Sequence, residues 1–532
     1  MSPEAPSPEP VDTGRPGTPR PAASRPAGGR PGTGPLDTDV AVIGGGPVGM
    51  LLAYELALQG IRTTVLEQLP RPTGESKAGT LHARTAQTLH RRGLLEAVQP
   101  GPHKARYSRG PVPFHFGGMF ELDLAAVVDE GPAMVGSPQA YAEQVFARLA
   151  EALGTRIVRG AEVVGIRQDD DRVHLTVRDG TGTTRPVTAG WAVGCDGARS
   201  AVRQLSGIRF TGTPAGVGAL MGEVELLDPY DAPAGWQRNE RGWTLVWLNP
   251  YGRSRVSTYD FRGPHPDRGA PVTLAELQGE TERIAGRPVP MASPRWLTRF
   301  SDAALQAEQY RSGRVLLAGD AAHVHFPAGG QGLNLGLQDA VNLGWKLAAE
   351  VRGDAPAGLL DTYHAERHPA AAEVLWNVRA QVALMNPDPR TDALRDLFVR
   401  LMHMPQVNTY LSGMISGEGV HYDTGPHTDP LAGRLTPDLP LKTPAARTGV
   451  ARLLRAAKPL LLDLADRADL RAAAAPWGPR VVTVTAVTDA PPADALLVRP
   501  DGYTAWSATD PDRDAASLTA ALRTWIGEPA AP

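Results

Sequence analysis

The chain has 532 residues and a formal net charge of −3, and 42% of its residues are hydrophobic. Without a clustered basic excess, this balance argues against a protein that binds nucleic acid or a membrane surface electrostatically. A single cysteine, Cys195, excludes an internal disulfide and a CxxC redox pair. No apolar run approaches the roughly 18 residues needed to cross a bilayer. We therefore expect a soluble, cytoplasmic protein of roughly three to four domains.

The amino-terminal segment differs in composition from the rest of the chain. Its first 36 residues contain 10 prolines and 6 glycines and no apolar run. Such a composition cannot bury enough surface to offset chain entropy, which predicts a disordered tail over 1–37. The segment has neither the apolar stretch of a signal peptide nor a twin-arginine motif.

A βαβ unit follows in the stretch "DVAVIGGGPVGMLLAYELALQGIRTTVLEQ", which predicts a strand, a glycine turn, a helix and a second strand ending in an acid. Gly44 allows the tight turn, Gly46 lets a pyrophosphate reach the backbone, and Gly49 lets helix and strand approach each other. Glu67 can accept from ribose hydroxyls, and the helix N-terminus offers N–H groups to phosphates. The unit predicts dinucleotide binding.

A polar loop and an amphipathic helix come next, in "ESKAGTLHARTAQTLHRRGLLEAV". Lys77 and Arg84 are the positive groups best placed by sequence to touch phosphate or flavin, with ordinary surface charge as the alternative for each. Apolar residues then recur at helical spacing from Gln139 to Leu153, and two or three strands are expected between Arg156 and Val193.

From about residue 210 to residue 298 the pattern becomes alternating and aromatic, which predicts antiparallel strands. Trp236, Trp243, Trp247 and Trp296 lie in this region, although such residues more often belong to the core than to a ligand site. The simplest interpretation is an interposed sheet domain that walls a pocket.

The stretch "VLLAGDAAHVHFPAGGQGLNLGLQDAVNLGWKL" predicts a short strand, a loop of small residues and a helix from 331 to about 351. Gly329, Gly330 and Gly332 crowd the entrance of that helix at an entropic cost. They indicate that a ligand approaches the backbone too closely for side chains. For His323 and His325, no third ligand is evident and metal binding is not expected.

A run of helices is expected after Asp361, followed by a linker near 420–445. The last part of the chain predicts strands around "PLLLDL" and "RVVTVTA", a hairpin that turns at Pro500-Asp501-Gly502, and a helix from Ala515 to Ile526. This order indicates a small third α/β domain, in which thiol chemistry is excluded for want of a cysteine.

Three glycine-containing motifs now stand in order: GxGxxG at 44–49, "GCDGARSAVR" at 194–203 and "GDAAHVHFPAGGQGLN" at 319–334. Together they resemble the single-component FAD-dependent aromatic hydroxylases of the p-hydroxybenzoate hydroxylase class. Within that class the chain is most similar to aromatic polyketide hydroxylases and rifampicin monooxygenases. The resemblance runs from about Asp39 to Ile526, and "LLDTYHAERHPAA" adds to it.

The resemblance implies an α/β fold: a Rossmann-like FAD-binding domain, an interposed antiparallel-sheet substrate domain and a C-terminal thioredoxin-like domain. The expected divisions are a tail (1–37), the FAD-binding domain in two parts (38–209 and 301–370), the substrate domain (210–300), a helical connector (371–430) and the C-terminal domain (431–532). That last domain would dock on the catalytic body, mediate dimerisation or add stability, and a monomer or homodimer is expected.

The resemblance also implies which residues bind FAD. For the ADP half these are Gly44, Gly46, Pro47, Gly49 and Glu67; Lys77, where many relatives have arginine, would supply a point charge, and Gln139 would meet the cofactor near its linker. The DG motif of Asp196 and Gly197 is associated with FAD and transient NADPH contacts, and Arg203 would brace it. Asp320 would bind the ribityl chain, and the backbone of Gly330, Gly332, Leu333 and Asn334 would face the isoalloxazine ring.

The implied substrate pocket lies under the interposed sheet. Its expected residues are Met221, Trp243, Trp247, Trp296, Phe326 and Pro327. No catalytic base is shared by the family and none is named. The fused-ring substrate would be a polycyclic aromatic polyketide of the angucycline or anthracycline kind.

In the implied reaction NADPH reduces FAD, molecular oxygen forms a flavin C4a-hydroperoxide, and one oxygen atom is transferred to an electron-rich ring in a dry pocket. Two alternatives use the same scaffold: Baeyer–Villiger insertion of oxygen beside a ketone, and oxidative inactivation of an antibiotic such as a rifamycin. A flavoprotein that does not oxygenate, such as a dehydrogenase or a sensor, is a further alternative. A flavin halogenase is disfavoured, since no WxWxIP-like segment is present.

Overall fold

The computed structural model describes residues 37–100, 110–267, 269–424 and 429–529. Apart from Asp37, the tail predicted over 1–37 lies outside these residues. None of the helices described combines the length and the apolar character that a bilayer crossing requires.

The amino-terminal part alternates strands and helices as its periodicity predicts. Its elements are β1 (Thr38–Ile43), α1 (Pro47–Leu58), β2 (Thr63–Glu67), β3 (Thr80–His82), α2 (Ala83–Arg91), β4 (Pro113–Phe116), β5 (Met119–Asp123), β6 (Met134–Gly136), α3 (Gln139–Ala152), β7 (Arg156–Arg159), β8 (Ala161–Gln168), β9 (Val173–Asp179), β10 (Thr184–Gly194) and α4 (Ala201–Leu205).

The central sheet is built around β1, which has parallel neighbours β2 and β10 on its two sides. β7 extends the sheet beyond β2, while β9 pairs antiparallel with the first half of β10 and with β8. Four strands therefore lie between Arg156 and Gly194, and the prediction of two or three was wrong. The reason is Gly160, whose φ of 65° breaks one apparent run into β7 and β8.

The chain next leaves the central sheet, forms a second sheet and returns. The elements are β11 (Phe210–Thr213), β12 (Gly218–Leu226), β13 (Gly235–Asn239), β14 (Gly242–Trp247), β15 (Ser254–Asp260), α5 (Leu274–Ala285), β16 (Met291–Ser301), β17 (Ala304–Ala307), β18 (Arg311–Ser312), β19 (Val315–Leu317), β20 (His323–Val324) and α6 (Gln331–Arg352). β19 rejoins the central sheet parallel to β10.

The interposed sheet has the order β13-β14-β15-β12-β16 and is antiparallel throughout, which confirms that prediction. Helix α5 covers its outer face, where Leu277 packs with Leu220 and Val256. On the inner face, Trp243 packs with Phe326 from the loop before α6. Because successive residues of a strand point to opposite faces, one face of the sheet packs against α5 and the other packs against the loop before α6.

Helices α1 and α6 pack closely along their length. A Cβ at Gly336 would come within 2.7 Å of the Val48 side chain, and one at Gly344 within 2.6 Å of the Glu55 side chain. Since the two contacts advance in the same direction along both helices, the helices run parallel. Their N-termini therefore lie on the same side of the fold.

The rest of the chain forms helices and a small sheet. The elements are α7 (Asp361–Met385), α8 (Asp392–Met402), α9 (Pro405–Ser416), β21 (Pro440–Lys442), β22 (Arg447–Gly449), α10 (Val450–Leu453), β23 (Leu460–Asp463), α11 (Ala468–Ala474), β24 (Val482–Thr485), β25 (Ala495–Val498), β26 (Thr504–Ser507) and α12 (Asp514–Ile526). Helix α7 runs across the division predicted at 370/371, and the domain divisions stay predictions.

The carboxy-terminal sheet has the order β24-β23-β25-β26, with β23 and β24 parallel and the other pairs antiparallel. The hairpin predicted at Pro500-Asp501-Gly502 is confirmed: Val498 pairs with Thr504, and Arg499 N donates to Tyr503 O at 2.8 Å. The sheet is thioredoxin-like, as expected, and α11 and α12 pack together on it.

Candidate active site

The turn before α1 needs glycine at two positions where backbone packs on backbone. Gly44 has a φ of 107°, and a Cβ on it would overlap the carbonyl oxygen of Cys195. A Cβ on Gly49 would overlap the carbonyl oxygen of Gly44. Gly46 differs, because nothing lies within 4 Å of a Cβ built there. The fold requires the first two glycines, whereas Gly46 leaves open space beside the backbone.

The N-terminus of α1 lies beside this open space and has no side-chain cap. Pro47 occupies the first turn, where its missing N–H costs little, and the first turn contains no acidic residue. The unpaired N–H groups that follow and the positive end of the helix dipole suit an anion. This geometry fits the predicted pyrophosphate site.

Both carboxylate oxygens of Glu67 accept a backbone hydrogen bond. Oε2 accepts from Gly45 N at 2.6 Å, and Oε1 accepts from Leu69 N at 2.7 Å. These bonds fix the side chain at the end of β2. Because a carboxylate oxygen can accept two hydrogen bonds, each retains one lone pair for a ribose hydroxyl.

Lys77 and Gln139 lie on segments that pack together. Gln139 N, at the start of α3, donates to Ala78 O at 3.0 Å. The Lys77 side chain is 53% exposed, and its Nζ lies 3.8 Å from a carboxylate oxygen of Glu75. An exposed ammonium on this loop is free to meet a ligand, which is what the predicted point charge requires.

The Arg84 side chain is directed to the loop after α9 and not to the predicted phosphate site. Its buried guanidinium donates to Gln87 at 3.1 Å, to Gly417 O at 3.3 Å and to Glu418 at 3.2 and 3.3 Å. The structure therefore disagrees with the proposed phosphate or flavin contact and with the surface alternative. Arg84 holds the loop that follows α9.

The DG motif is tied to the third motif by an arginine. Asp196 Oδ2 accepts from Val202 N at 3.0 Å, whereas its buried Oδ1 has no partner among the described residues. Arg203 donates to Ala198 O and to Ala321 O, each at 3.0 Å. Arg203 thus braces the loop, as expected, and burial raises the pKa of the Asp196 carboxyl.

Asp320 lies in the loop that follows β19. Its side chain is accessible, yet protein atoms surround it and limit its hydration, so burial raises its pKa against the opposing charges of His323 and Lys77. The charge of Lys77, 243 residues away in sequence, therefore acts to lower the pKa of the Asp320 carboxyl. An accessible carboxylate can accept hydrogen bonds from a polyhydroxylated chain, which fits the predicted ribityl contact.

The turn before α6 adopts the backbone shape that its glycines permit. Gly329 and Gly330 have φ values of 76° and 65°, and α6 then begins at Gln331 without a side-chain cap or an acidic residue in its first turn. Side chains built on Gly330 or Gly332 would meet the rings of His82 or His325 only at 3.5 Å. The unpaired N–H groups of this helix end suit a ligand that carries negative charge.

The backbone of Leu333 and Asn334 was predicted to face the isoalloxazine ring, but the Asn334 side chain also forms hydrogen bonds within the protein. Its Oδ1 accepts from His82 N at 2.8 Å, and its Nδ2 donates to Thr80 O at 3.1 Å and to Gly330 O at 2.9 Å. The side chain therefore fastens β3 to the start of α6.

Sequence reasoning missed His82. Its Nε2–H donates to Gly329 O at 2.9 Å, and the opposite nitrogen, Nδ1, is buried without a partner among the described residues. Burial lowers the pKa of His82 to about 4, so the ring is neutral at pH 7. Nothing in the local pattern could reveal this role, since the partner lies 247 residues away.

The inner face of the interposed sheet brings the predicted pocket residues to one side. The register pairs Met221 with Thr298 and Glu223 with Trp296. Trp243 and Trp247 are four residues apart on β14, so their side chains lie on the same face. Phe326 lies within 5.7 Å of the aromatic rings of both Tyr259 and Phe300, by centroid distance. The face is an aromatic wall beside the turn before α6.

The predicted pocket residues differ in exposure. Trp243 is buried, and its Nε1 donates to Met385 O at 2.6 Å, which makes it a packing residue. Trp296 is also buried and donates to Glu223 at 2.8 Å. Trp247 is 63% exposed at the end of β14, and Pro327 is exposed before α6. Trp247 and Pro327 are therefore more accessible to a ligand than Trp243 and Trp296.

The two histidines of the third motif have structural partners. His323 Nε2–H donates to Asp339 at 2.7 Å, and His325 Nδ1–H donates to Phe326 O at 2.7 Å. In the described part of the chain, no three His, Cys, Asp or Glu side chains are grouped to hold a metal ion.

FAD fits the residues that meet here. Two uncapped helix N-termini lie on one side of the fold, with open space at Gly46 and left-handed glycines before α6. The loops that carry Asp320 and Asp196 pack against these helices and turns, since Gly319 lies beside Val48 and Gly336, and Asp196 N lies beside Gly44. The Asp196 carboxyl has an oxygen with no partner among the described residues. Such an arrangement can hold a long ligand with a phosphate group, hydroxyl groups and a flat ring system.

Comparison with known proteins agrees with this geometry. A family model described as "FAD binding domain" matches residues 37–378, and one described as "Aromatic-ring hydroxylase, C-terminal" matches residues 429–529.

Individual relatives cover nearly the whole chain. A 12-dehydrotetracycline 5-monooxygenase/anhydrotetracycline 6-monooxygenase of Streptomyces rimosus is 43% identical over 92% of this chain and 99% of its own length. A rifampicin monooxygenase of Streptomyces venezuelae is 41% identical over 92% and 98% of the two chains. A dialkyldecalin synthase of Streptomyces rugosporus is 38% identical over 92% and 98%. The solved structure of the OxyS anhydrotetracycline hydroxylase from Streptomyces rimosus matches with a TM-score of 0.85 at 41% identity, covering 93% and 100% of the two chains.

Proposed function

The chain belongs to the FAD-dependent aromatic hydroxylases, a family of flavin monooxygenases, and from that premise we propose that it hydroxylates a polycyclic aromatic polyketide with NADPH as electron donor. The single observation that supports this most directly is the parallel pair of uncapped helices α1 and α6, whose N-termini lie on one side next to an aromatic wall.

We propose that one FAD molecule spans these two helix ends. Its contacts in the proposal are Gly44, Gly46, Pro47, Gly49 and Glu67 for the ADP half, Lys77, Gln139, Asp196 and Asp320 for the middle, and Gly330, Gly332, Leu333 and Asn334 for the ring. Parallel helices support a single ligand, since antiparallel ones would put the two N–H clusters at opposite ends.

When bound and reduced, FAD supplies the activation of molecular oxygen for transfer to an aromatic ring. The chain contributes position and electrostatics. N–H groups at the start of α6 stabilise negative charge on a bound ring system, and the dipole of that helix adds to them. His82, neutral at pH 7 and bonded to Gly329 O, keeps the turn before α6 in place.

The inner face of the sheet would exclude water from the reacting ring. Phe326, Tyr259 and Phe300 form a contiguous aromatic cluster with centroid distances between 5.0 and 6.2 Å. Activated oxygen species are lost to water, so an apolar wall beside the flavin favours transfer to substrate. A flat fused-ring substrate stacks well against such a wall. The accessible residues Trp247 and Pro327 would lie nearer the mouth.

The test is a screen of polycyclic phenols with the FAD-loaded protein. We expect a substrate to accelerate NADPH oxidation, to consume oxygen in equal amount and to yield a product heavier by one oxygen atom. Parallel reactions with NADH decide the donor. Asp361→Ala, which removes an exposed carboxylate on α7, is the control and should retain full turnover. The proposal fails if no polycyclic aromatic stimulates NADPH or oxygen consumption.

Two related candidates are Baeyer–Villiger insertion of oxygen beside a ketone of a similar polyketide, and oxidative inactivation of an antibiotic. The rifampicin monooxygenase match at 41% identity favours including the latter. NMR of the product separates the outcomes, because insertion changes the carbon skeleton and hydroxylation does not.

A second class of activity is catalysis without oxygen transfer. The match to a dialkyldecalin synthase, at 38% identity over 92% of this chain, favours testing it. Such an activity would convert substrate anaerobically without NADPH and with no change in mass, whereas the hydroxylation proposed here requires both oxygen and NADPH.

A further inference from the structure

The motif "YHAERH" at 363–368 lies on α7, outside the expected cofactor contacts, yet its side chains connect three parts of the molecule. Tyr363 OH donates to Leu317 O at 2.7 Å, at the end of the strand that leads into the GD motif. His364 Nδ1 accepts from Tyr310 N at 3.3 Å. Helix α7 is therefore fastened to the segment that precedes Asp320.

Arg367 continues this connection toward the cofactor turn. Its Nε donates to Asp339 Oδ1 at 2.8 Å, and both groups are fully buried. Asp339 Oδ2 in turn accepts from Gly319 N at 3.0 Å and from His323 at 2.7 Å. Asp339 thus holds the residue immediately before Asp320, and Arg367 holds Asp339.

Glu366, the neighbour of Arg367, connects to the carboxy-terminal domain. Arg499 donates to its two carboxylate oxygens at 2.6 and 2.9 Å, and also to Asp501 at 2.5 Å. Lys346 of α6 donates to Glu366 at 2.7 Å, and Trp345 Nε1 donates to Asp501 at 3.1 Å. The hairpin after β25 is thereby joined to α6 and α7 through buried charges.

A second set of contacts, through Tyr422, also joins Arg367 to the hairpin that carries Arg499. Arg367 Nη1 donates to Tyr422 OH at 3.1 Å. The Tyr422 ring packs on Tyr503 of the same hairpin with centroids 4.2 Å apart, and the Arg499 guanidinium lies 5.3 Å from the Tyr422 ring centre. Arg499 therefore acts on Arg367 through Glu366 on one side and through Tyr422 on the other.

The buried network contains equal numbers of positive and negative side chains. Arg499, Lys346 and Arg367 provide three positive charges and Glu366, Asp501 and Asp339 three negative ones, all with buried side chains. Buried pairs of this kind add little net stability over apolar packing, but they fix geometry because each misplaced charge is costly. Such a network suits the precise placement of α6 and of the GD turn.

We infer that Arg499 is a positioning residue for the cofactor site, through which the carboxy-terminal domain sets the register of α6 and of the Gly319-Asp320 turn and thereby the affinity for FAD. The inference rests on the proposed FAD placement. It assigns the domain a role in cofactor retention in addition to stability.

The test compares variants of the full chain, stripped of FAD and then titrated with it. Arg499→Met removes the guanidinium at similar length, and Tyr422→Phe removes only the hydroxyl that accepts from Arg367. Leu462→Ala is the matched control, since Leu462 is buried on β23 in the carboxy-terminal core cluster separate from Trp345. Each variant is measured for FAD dissociation constant by flavin fluorescence, for the visible spectrum of bound FAD and for the unfolding midpoint without FAD.

We expect Arg499→Met to weaken FAD binding about 10-fold or more and to shift the flavin spectrum, and Tyr422→Phe to weaken it about 3-fold. Leu462→Ala should lower the unfolding midpoint while FAD affinity stays within about twofold. If Arg499→Met does not fold, the FAD dissociation constants of Asp501→Asn and Tyr422→Phe test the inference.

Two results would overturn the inference: network variants that fold and bind FAD like the unmodified chain, or a Leu462→Ala variant that loses FAD equally, which would reduce the effect to domain stability. Failure of the unmodified chain to bind FAD is a different result, because it would break the proposed function itself.

Discussion

The glycine turns before α1 and α6 look alike in sequence but use glycine for different physical reasons. In the first turn, a Cβ on Gly44 or Gly49 would overlap a backbone oxygen. In the second, a Cβ on Gly330 or Gly332 would meet only histidine side chains at an ordinary contact distance of 3.5 Å. Packing therefore requires glycine in the first turn, and the left-handed φ of 65° favours glycine at Gly330 in the second, whereas the fold places no such demand on the helical Gly332. The comparison singles out Gly332 as the glycine of the second turn that the fold alone does not explain.

The largest expected effect comes from Gly44→Ala, which should destabilise the protein by about 4 kcal/mol or more, because φ is positive and the backbone of Cys195 blocks the new methyl group. Urea unfolding of the FAD-free protein measures this loss. Gly46→Ala is the matched control, since nothing lies within 4 Å of its Cβ; it should fold normally and bind FAD poorly. Equal stability of the two variants would contradict the distinction.

Asp320→Ala tests the proposed contact with the ribityl chain. We expect a folded protein that retains little FAD, with affinity lower by about 100-fold, because a carboxylate that can accept two hydroxyl hydrogen bonds is lost. Absorbance of the purified protein near the flavin bands gives the retained fraction. Asp361→Ala should keep its colour, since that carboxylate is exposed. Full colour in Asp320→Ala would remove this residue from the site.

His82 makes the second turn sensitive to acid. Its folded pKa is about 4 against an ordinary 6.5, so between these values the unfolded chain takes up a proton that the folded protein refuses. Stability therefore falls as pH drops from about 6.5 to about 4. His82→Gln should reduce that fall by about 2–3 kcal/mol.

Urea unfolding at pH 6.5 and 4.5 measures the fall in stability. His403→Gln, at a histidine whose side chain is 63% exposed, is the control for loss of a histidine at the surface. An identical pH dependence in His82→Gln and the unmodified protein would show that the turn does not depend on a neutral ring.

Gly332→Ala should have the smallest effect on stability, and it tests most directly whether the flavin ring approaches α6. Its position is helical and a Cβ there has room, so FAD-free stability should stay equal or rise by up to about 1 kcal/mol. FAD affinity should nevertheless fall about 10-fold, because the methyl group would occupy the space proposed for the ring. Thermal unfolding without FAD and fluorescence titration with it separate the two effects. Unchanged affinity would mean that the ring does not approach this residue.

Local patterns in the sequence were enough to predict most elements. Helix α6 was expected to run to about residue 351 and ends at Arg352, and the hairpin at Pro500-Asp501-Gly502 was placed correctly. Periodicity and turn chemistry depend on neighbours in sequence, which is why they succeed. The strand count between Arg156 and Val193 failed at Gly160, because a single left-handed residue leaves no periodic signal.

Contacts between distant residues could not be predicted in the same way. The bond from His82 to Gly329 and that from Arg84 to Gly417 each join residues more than 200 positions apart. One signal was available and not used: Asp339, Asn342 and Lys346 recur at i, i+3 and i+7 on the buried face of α6. Charged groups on an apolar helix face require buried partners, so this spacing predicts a buried polar network on α6, although it does not identify α7 as its partner.

Helix α6 sets a practical limit on redesign of the enzyme. Its Gly336 and Gly344 pack against α1, and its Lys346 donates to Glu366. All of these contacts depend on the rotation of α6 about its axis. Inserting one residue would turn everything beyond it by about 100° and advance it by about 1.5 Å, which would break all these fits together. Length changes are better tolerated in the surface loops that carry the exposed Tyr230 and Tyr251.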